Sequence, residues 1–385
     1  MIAVPPGLEL ARYEPRLKDG IALLQRRLWS TDPALNARFF DWRYGEATPG
    51  GESLVFLLLQ DGVPIAMRAL HGAFLRAGAG APPRLVFLSD DLVIAKEFEG
   101  RGLFAVLTAA IRAELTAGGH DFFLGLSALR ATTHQSLKLG ALQVGPMHAV
   151  GRLRAAARSF DAVRAVAAKL PVIWRYASGV TIHERAAAFF ARLDAVRVPG
   201  RGAQSDAEIS VELRSRPAEM AGFVAALSSD DRIRRVRDAC YFAWRYANPL
   251  HEYRCVRAER GGRLCGFLVI ERSLSDLGNV RRSHIVDWEA DSAEVCTDLL
   301  GFVLDVGRPA ELVTWQESGG ASERSARRVV SRNGMRSNRA AFGRSMPNRR
   351  SEACRRSWCG QSTRPPIRNA CVWMGAHCST LQIGI

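Results

Sequence analysis

The tripeptide Trp-Arg-Tyr occurs twice in this chain of 385 residues, at Trp42–Tyr44 and at Trp244–Tyr246, 202 residues apart. Each copy has a phenylalanine two residues before its tryptophan, and each is followed by a glycine turn and a strand-like run. Chance alone rarely repeats two tryptophan-centred segments in matching contexts. The repeat therefore predicts two related halves, and the length also favours about two domains.

The first half has a predicted order of elements that centres on a glycine turn. In chain order, turn and periodicity signals predict a helix, a hairpin, a strand over Arg84–Ile94, the turn Glu99-Gly-Arg-Gly102 and an amphipathic helix over Leu103–Ala117. A strand, a helix and a strand over 142–153 follow. The second half repeats this order without the glycine turn.

The glycine turn has the chemistry of an anion site. The first N–H groups of a helix lack intrahelical partners, and the helix dipole adds positive potential. Gly100 and Gly102 remove side chains from the approach, and Arg101 adds a cation. A glycine turn alone is weak support, but its place between a strand and an amphipathic helix predicts a pyrophosphate site.

This arrangement resembles the GCN5-related N-acetyltransferase (GNAT) superfamily over about residues 35–153. The segment Asp91–Phe104 resembles the acyl-CoA-binding motif of the family, and Lys138-Leu-Gly140 resembles the end of its next helix. The Trp-Arg-Tyr opening and the double layout are similar to large bacterial GNAT proteins associated with cell-envelope or exopolysaccharide biosynthesis.

The resemblance implies an α/β (α+β) fold with two GNAT-like domains, each a mixed, mostly antiparallel central sheet flanked by helices. We expect an acyl-CoA-binding domain over 1–153, a helical connector and linker over 154–206, a degenerate second domain over 207–320 and a basic, irregular tail over 321–385. In the second half, the helix that corresponds to Leu103–Ala117 starts among the acidic residues Glu289, Asp291 and Glu294, so we expect it not to bind CoA.

The implied reaction is acetyl transfer from acetyl-CoA to an amine by direct attack in a ternary complex, with an amino sugar of an envelope polysaccharide as one candidate acceptor. The residues expected to bind the pyrophosphate and the pantetheine arm are Gly100, Arg101, Gly102, Leu103 and Phe104, and Leu92, Val93 and Ile94. The first half contains no cysteine, so an acyl-cysteine intermediate is excluded there.

Two candidate catalytic residues come from the resemblance. Asp91 is the candidate base; because alternate strand residues face opposite sides, only Asp91 or its neighbour Asp90 is expected to face the cleft. Family members often have a tyrosine acid on the helix after the second strand, and His134 is the candidate here. A strand-end carboxylate and a surface histidine are the structural alternatives.

Other residues favour an alternative, a catalytically degenerate binding or scaffold protein. Glu97 and Glu99 would repel a pyrophosphate, although Lys96 and Arg101 offset this. The repeated tryptophan and tyrosine are expected to pack in the core with the arginine paired nearby, the other interpretation being that Arg43 or Tyr44 binds the acceptor.

The charge and the cysteines are concentrated near the end of the chain. Residues 321–385 contain 13 arginines and two acids, hence +11 of the net charge of +15, and four of the eight cysteines. Such a tail is a disordered basic segment or an out-of-frame reading of a GC-rich gene, and nucleic-acid binding through it is a further, weaker alternative. Without a signal peptide, a membrane span or a metal motif, we expect a cytoplasmic protein that binds a small amine, with no metal.

Overall fold

The computed structural model describes residues 3–78, 80–127, 130–153, 186–196, 199–227, 233–275, 277, 283–307, 311–317, 336–337 and 369–374. The first half contains β1 (Glu9–Arg12), α1 (Lys18–Leu24), α2 (Pro33–Tyr44), β2 (Ser53–Gln60), β3 (Val63–Ala77), β4 (Arg84–Ile94), α3 (Leu103–Ala117), β5 (Phe122–Ser127), α4 (Arg130–Lys138) and β6 (Leu142–Leu153). The predicted bounds of β4, α3 and β6 are confirmed.

The second half repeats the order of the first. It contains α5 (186–194), β7 (Gly200–Arg201), β8 (Glu208–Glu212), α6 (Pro217–Ala226), β9 (Ile233–Arg235), α7 (Ala239–Arg245), β10 (His251–Arg260), β11 (Arg263–Ser273), β12 (Ser283–Ala290), α8 (Ala293–Val306) and β13 (Glu311–Glu317). In both halves a helix with the Trp-Arg-Tyr motif precedes a hairpin, a third strand, a long helix and a further strand. The predicted duplication is confirmed at the level of the fold.

Two predicted regions lie largely outside the described residues. These are 154–185 of the predicted connector and most of the predicted irregular tail. The described residues of the tail form two strands, β14 (Arg336–Ser337) and β15 (Asn369–Met374). In the described part of the chain, no helix is long and apolar enough to cross a membrane.

The strands form a continuous sheet in the order β1-β2-β3-β4-β5-β15-β6-β13-β12-β11-β10-β8-β7, with β14 beside β6 and β9 beside β3. The pairs β4–β5 and β12–β13 are parallel, and the other described pairs are antiparallel. Each half is thus a mixed, mostly antiparallel sheet, as expected. The pairings β6–β13 and β3–β9 join the two halves.

Alternate residues of β3 pack on opposite faces of the first sheet. Ala66 and Leu70 lie in the core under α3, whereas Met67 and Ala69 lie in the core formed with α1 and α2. This is the alternation that a pleated strand imposes. The second half has its own cores, one of which includes Trp244 and Phe267.

The two copies of the Trp-Arg-Tyr motif contact each other. The rings of Trp42 and Trp244 are stacked, with centroids 4.8 Å apart and an interplanar angle of 9°. The indole Nε1 of Trp42 donates to the carbonyl of Trp244 at 2.7 Å, and that of Trp244 donates to the carbonyl of Trp42 at 2.9 Å. The motif therefore forms a pseudo-symmetric contact between the halves, which the expectation of core packing with a paired arginine did not include.

Candidate active site

Strands β4 and β5 separate after a short paired stretch. They pair at Phe87–Ser89 and Phe123–Gly125, and β4 then continues to Ile94 alongside β3, with no second partner strand among the described residues. The expected separation of the two strands is present, and the β4 edge beyond Ser89 has no partner strand in the described part of the chain. Since β4 leads directly into the glycine turn, the open edge and the turn are adjacent.

The glycine turn has the backbone conformation that only glycine adopts easily. Gly100 and Gly102 both have φ of +77°, and Gly102 is the N-cap of α3. No side chain caps this helix, and a Cβ on either glycine would meet nothing within 4 Å. The N–H groups at the start of α3 are therefore open to an anion.

Charged side chains near the turn are paired in a way that the sequence did not indicate. Arg27 donates to a carboxylate oxygen of Glu99 at 2.7 Å and also to the carbonyl of Ile94. Arg101 lies 4.8 Å from the ring centroid of Phe98 and donates to the carbonyl of Glu97 at 2.9 Å. The repulsion expected from Glu99 is thus offset by Arg27, and Arg101 remains beside the turn.

A β-bulge in β4 changes the expected orientation of the two aspartates. Ser89 pairs with Leu70 and Leu92 pairs with Arg68, so that both Asp90 and Asp91 lie opposite one residue of β3. Both carboxylates consequently contact side chains on the α1 and α2 face. The prediction that these neighbours face opposite sides was wrong, because a bulge interrupts the alternation.

Asp91 is buried, with an exposed fraction of 2%. Its carboxylate accepts from Gln25 Nε2 at 2.7 Å and from Trp29 Nε1 at 3.1 Å, and its backbone N–H donates to the hydroxyl of Tyr44 at 3.3 Å. Burial and the charge of Asp90 raise the pKa of Asp91 to about 7, against the lowering effect of Trp29, Gln25 and Arg43. The group can exchange a proton near neutral pH, but protein donors surround it.

Asp90 lies at the contact between the halves. It forms an ion pair with Arg43, its side chain is 21% exposed, and it lies 3.7 Å from His71 Nδ1. Burial and the charges of Arg43, Arg235 and Arg245 hold the pKa of His71 well below its usual value, so this imidazole is neutral at pH 7. A neutral imidazole can accept a proton, but burial and the three arginines disfavour the imidazolium that would form.

His134 lies on the exposed side of α4. The described residues form no hydrogen bond or ion pair with it, so the structure does not bring His134 together with Asp91. His71 is the functional candidate that sequence reasoning missed. Its signal was weak: β3 contains a single histidine, alongside Arg68 and Arg76, in a mainly apolar strand, and this histidine lies on the same face as the Trp-Arg-Tyr helix.

The corresponding helix of the second half begins differently. Ser292 caps α8 by accepting from the N–H of Val295 at 3.3 Å, and Glu294 lies in the first turn. A capped, acidic helix start disfavours an anion. The described residues also contain no cluster of three or more potential metal ligands.

Solved structures with this fold include a conserved protein of unknown function from Enterococcus faecalis V583, described as a probable N-acyltransferase. It is 8% identical, with a TM-score of 0.54 over 82% of this chain and 68% of the other. A tandem GNAT protein from the clavulanic acid biosynthesis pathway is 11% identical, with a TM-score of 0.52 over 97% of this chain and 100% of the other.

N-myristoyltransferase from Saccharomyces cerevisiae with bound myristoyl-CoA is 8% identical, with a TM-score of 0.52 over 97% of this chain and 80% of the other. No protein-family profile and no curated protein matches the sequence. At these identities the similarity defines the fold alone. The chain has a tandem GNAT fold, and its first half contains the open glycine turn.

Proposed function

We propose that the protein is an acyl-CoA-dependent N-acyltransferase with its donor site in the first half. The main support is the uncapped glycine turn, Gly100–Gly102, which follows β4, the strand that separates from β5. A solved structure of similar fold is described with bound myristoyl-CoA, and another as a probable N-acyltransferase. Both descriptions support this class of donor.

The turn and the open edge of β4 fit the two polar parts of the donor. The pyrophosphate would be bound by the N–H groups of Gly100, Arg101, Gly102, Leu103 and Phe104. The pantetheine arm would follow Leu92, Val93 and Ile94, and its amides could pair with the backbone groups of this edge that Arg27 does not contact. Arg27 assists by neutralising Glu99. Acetyl-CoA is our proposal for the particular donor.

The amine would attack the thioester directly, without a covalent protein intermediate. We assign the acceptance of the amine proton to His71, because its imidazole is neutral and its Nδ1 lies 3.7 Å from Asp90. Burial and the charges of Arg43, Arg235 and Arg245 lower the pKa of this imidazole and make it a weak base. Backbone N–H groups beside the bulge would polarise the thioester carbonyl. The thiolate leaves as the amide bond forms.

Asp91, the base expected from the resemblance, has a different proposed role. Its hydrogen bonds with Gln25, Trp29 and Tyr44 connect the bulge to α2 and the segment before it. We propose that Asp91 is a positioning residue that holds the bulge and so places Asp90. Among the described residues, none makes a contact with His134 that would support the acid role expected for it.

The acceptor is proposed to be a small-molecule amine, and an amino sugar of an envelope polysaccharide rests on the sequence resemblance alone. Incubation with carbon-13-labelled acetyl-CoA and a small-molecule extract of cells that carry the gene tests the reaction. Wild type should produce a labelled amide, and His71→Gln should reduce its rate at least about 100-fold. Binding of acetyl-CoA without any labelled product would instead support the degenerate scaffold alternative.

A further inference from the structure

Four cationic or titratable side chains surround the ring of Trp244 at the contact between the halves. The guanidinium carbon of Arg235 lies 5.3 Å from the centroid of this ring, and that of Arg43 lies 5.6 Å from it. The ring of His71 has its centroid 5.9 Å away. Arg245, the next residue in the chain, is close enough for its charge to act on both His71 and Arg235.

Several polar atoms of this cluster are buried without a hydrogen-bond partner among the described residues. They are both ring nitrogens of His71, one terminal nitrogen of Arg235 and the Nε of Arg245. His71 itself is only 2% exposed. An unpaired buried donor costs about 1–3 kcal/mol, so a concentration of such donors at one place indicates a site for an accepting group.

The charges of the cluster favour an anion. The nearby carboxylates already have partners: Asp90 pairs with Arg43, and Glu271 lies 3.5 Å from His251 and 3.6 Å from His284 and also interacts with the charge of Arg245. Burial and the like charges of Arg43 and Arg245 lower the pKa of Arg235 to about 10. The described residues therefore give Arg235 no carboxylate of its own.

We propose that Arg235 and Arg245 bind a carboxylate of the acceptor, so that the acceptor is an amine that also carries a carboxyl group. A guanidinium presents paired donors that match the two oxygens of a carboxylate. The proposal rests on the acyltransferase function above, because it places the amine of the same molecule near His71 and Asp90.

The proposed site gives the second half a role in recognition. Arg235 lies on β9, which pairs with β3 of the first half, and Arg245 ends α7. His71 and Asp90 come from the first half. Neither half alone contains both the proton acceptor and the carboxylate site, and the stacked Trp42 and Trp244 hold the two sets of residues together.

A binding experiment on the full chain tests the proposal without any acyl transfer. Thermal unfolding is followed in sodium acetate and in sodium chloride at equal ionic strength, with acetate as the carboxylate probe. Wild type should be stabilised more by acetate than by chloride, in a saturable manner. Arg235→Met should lose this difference, whereas Arg216→Met, at an exposed arginine paired with Glu212, should retain it.

The outcomes separate this inference from the proposed function. Equal responses of wild type, Arg235→Met and Arg216→Met to acetate would overturn the carboxylate site, even if acetyl-CoA binds. An acetate effect that requires Arg235 in a protein that does not bind acetyl-CoA would retain the site and overturn the acyltransferase proposal. If Arg235→Met fails to fold, the same comparison is made with Arg235→Lys, which should weaken the acetate effect at least about tenfold because it loses the paired donors.

Discussion

The two halves share a scaffold and differ at the start of one helix. In the first half, α3 begins at Gly102, which has positive φ and provides no side-chain cap. In the second half, α8 begins at Ser292, whose hydroxyl caps the helix, and Glu294 follows. A side-chain cap pairs with the free N–H groups of the first helical turn, whereas without a cap these groups remain available to a ligand. The two halves thus share the fold, and only the first has the uncapped helix start on which the proposed donor site depends.

The repeated arginine shows the same divergence. Both halves have a bulge in the third strand of the sheet, at Asp90 and Asp91 in β4 and at Val286 in β12. Arg43 consequently has an aspartate partner on its bulge. Arg245 lacks one, and its Nε is buried without a hydrogen bond. The same backbone feature thus carries an aspartate partner for the arginine in one half and none in the other, where the charge of Glu271 acts on Arg245 instead.

The largest expected effect concerns the contact that joins the halves. Trp244→Ala removes the stacked ring and the hydrogen bond that its indole donates to the carbonyl of Trp42, while the carbonyl of residue 244 remains as an acceptor. We therefore expect a loss of about 3–5 kcal/mol of unfolding free energy, measured by chemical denaturation. A double-mutant cycle that combines Trp244→Ala with Trp42→Ala should give a coupling energy above about 0.5 kcal/mol. Additive losses would mean that the two rings do not stabilise each other.

A second prediction concerns the bulge that carries Asp90 and Asp91. The pKa of Asp91 is raised from 3.8 to about 7, mainly by burial. Between these values the folded state binds more protons than the unfolded state, so its stability falls as the pH rises, by up to about 4 kcal/mol. Asp91→Asn should remove this fall. If the unfolding free energies of wild type and Asp91→Asn changed in the same way between pH 4 and pH 7, the raised pKa of Asp91 would be contradicted.

The smallest effect distinguishes the two helix starts. Ser292→Ala removes the cap of α8 and should cost about 1 kcal/mol of unfolding free energy. The matched change Gly102→Ala should cost a similar amount, about 1 kcal/mol, through the strain of positive φ. Calorimetry should detect weaker acetyl-CoA binding only in Gly102→Ala. Weaker acetyl-CoA binding in Ser292→Ala would instead place the donor site in the second half.

The elements of the fold could be predicted because they depend on local patterns. The long apolar content of β4, the amphipathic spacing of α3 and the glycines between them are all readable in the sequence. The site was harder to predict because it depends on contacts between distant residues. Arg27 reaches Glu99 over 72 positions, and the indole of Trp42 reaches Trp244 over 202. A bulge, which reversed the expected side of one aspartate, has no simple sequence signal.

The most direct test of the account is the location and number of acetyl-CoA sites. Calorimetric titration of the full chain is compared with Gly102→Glu and with the matched Ser292→Glu, each checked for folding by circular dichroism. We predict one site per chain in wild type and in Ser292→Glu, and at least about 100-fold weaker binding in Gly102→Glu, where a carboxylate would occupy the anion position. No binding by wild type, two sites per chain, or a loss confined to Ser292→Glu would contradict the assignment of the donor site to the first half.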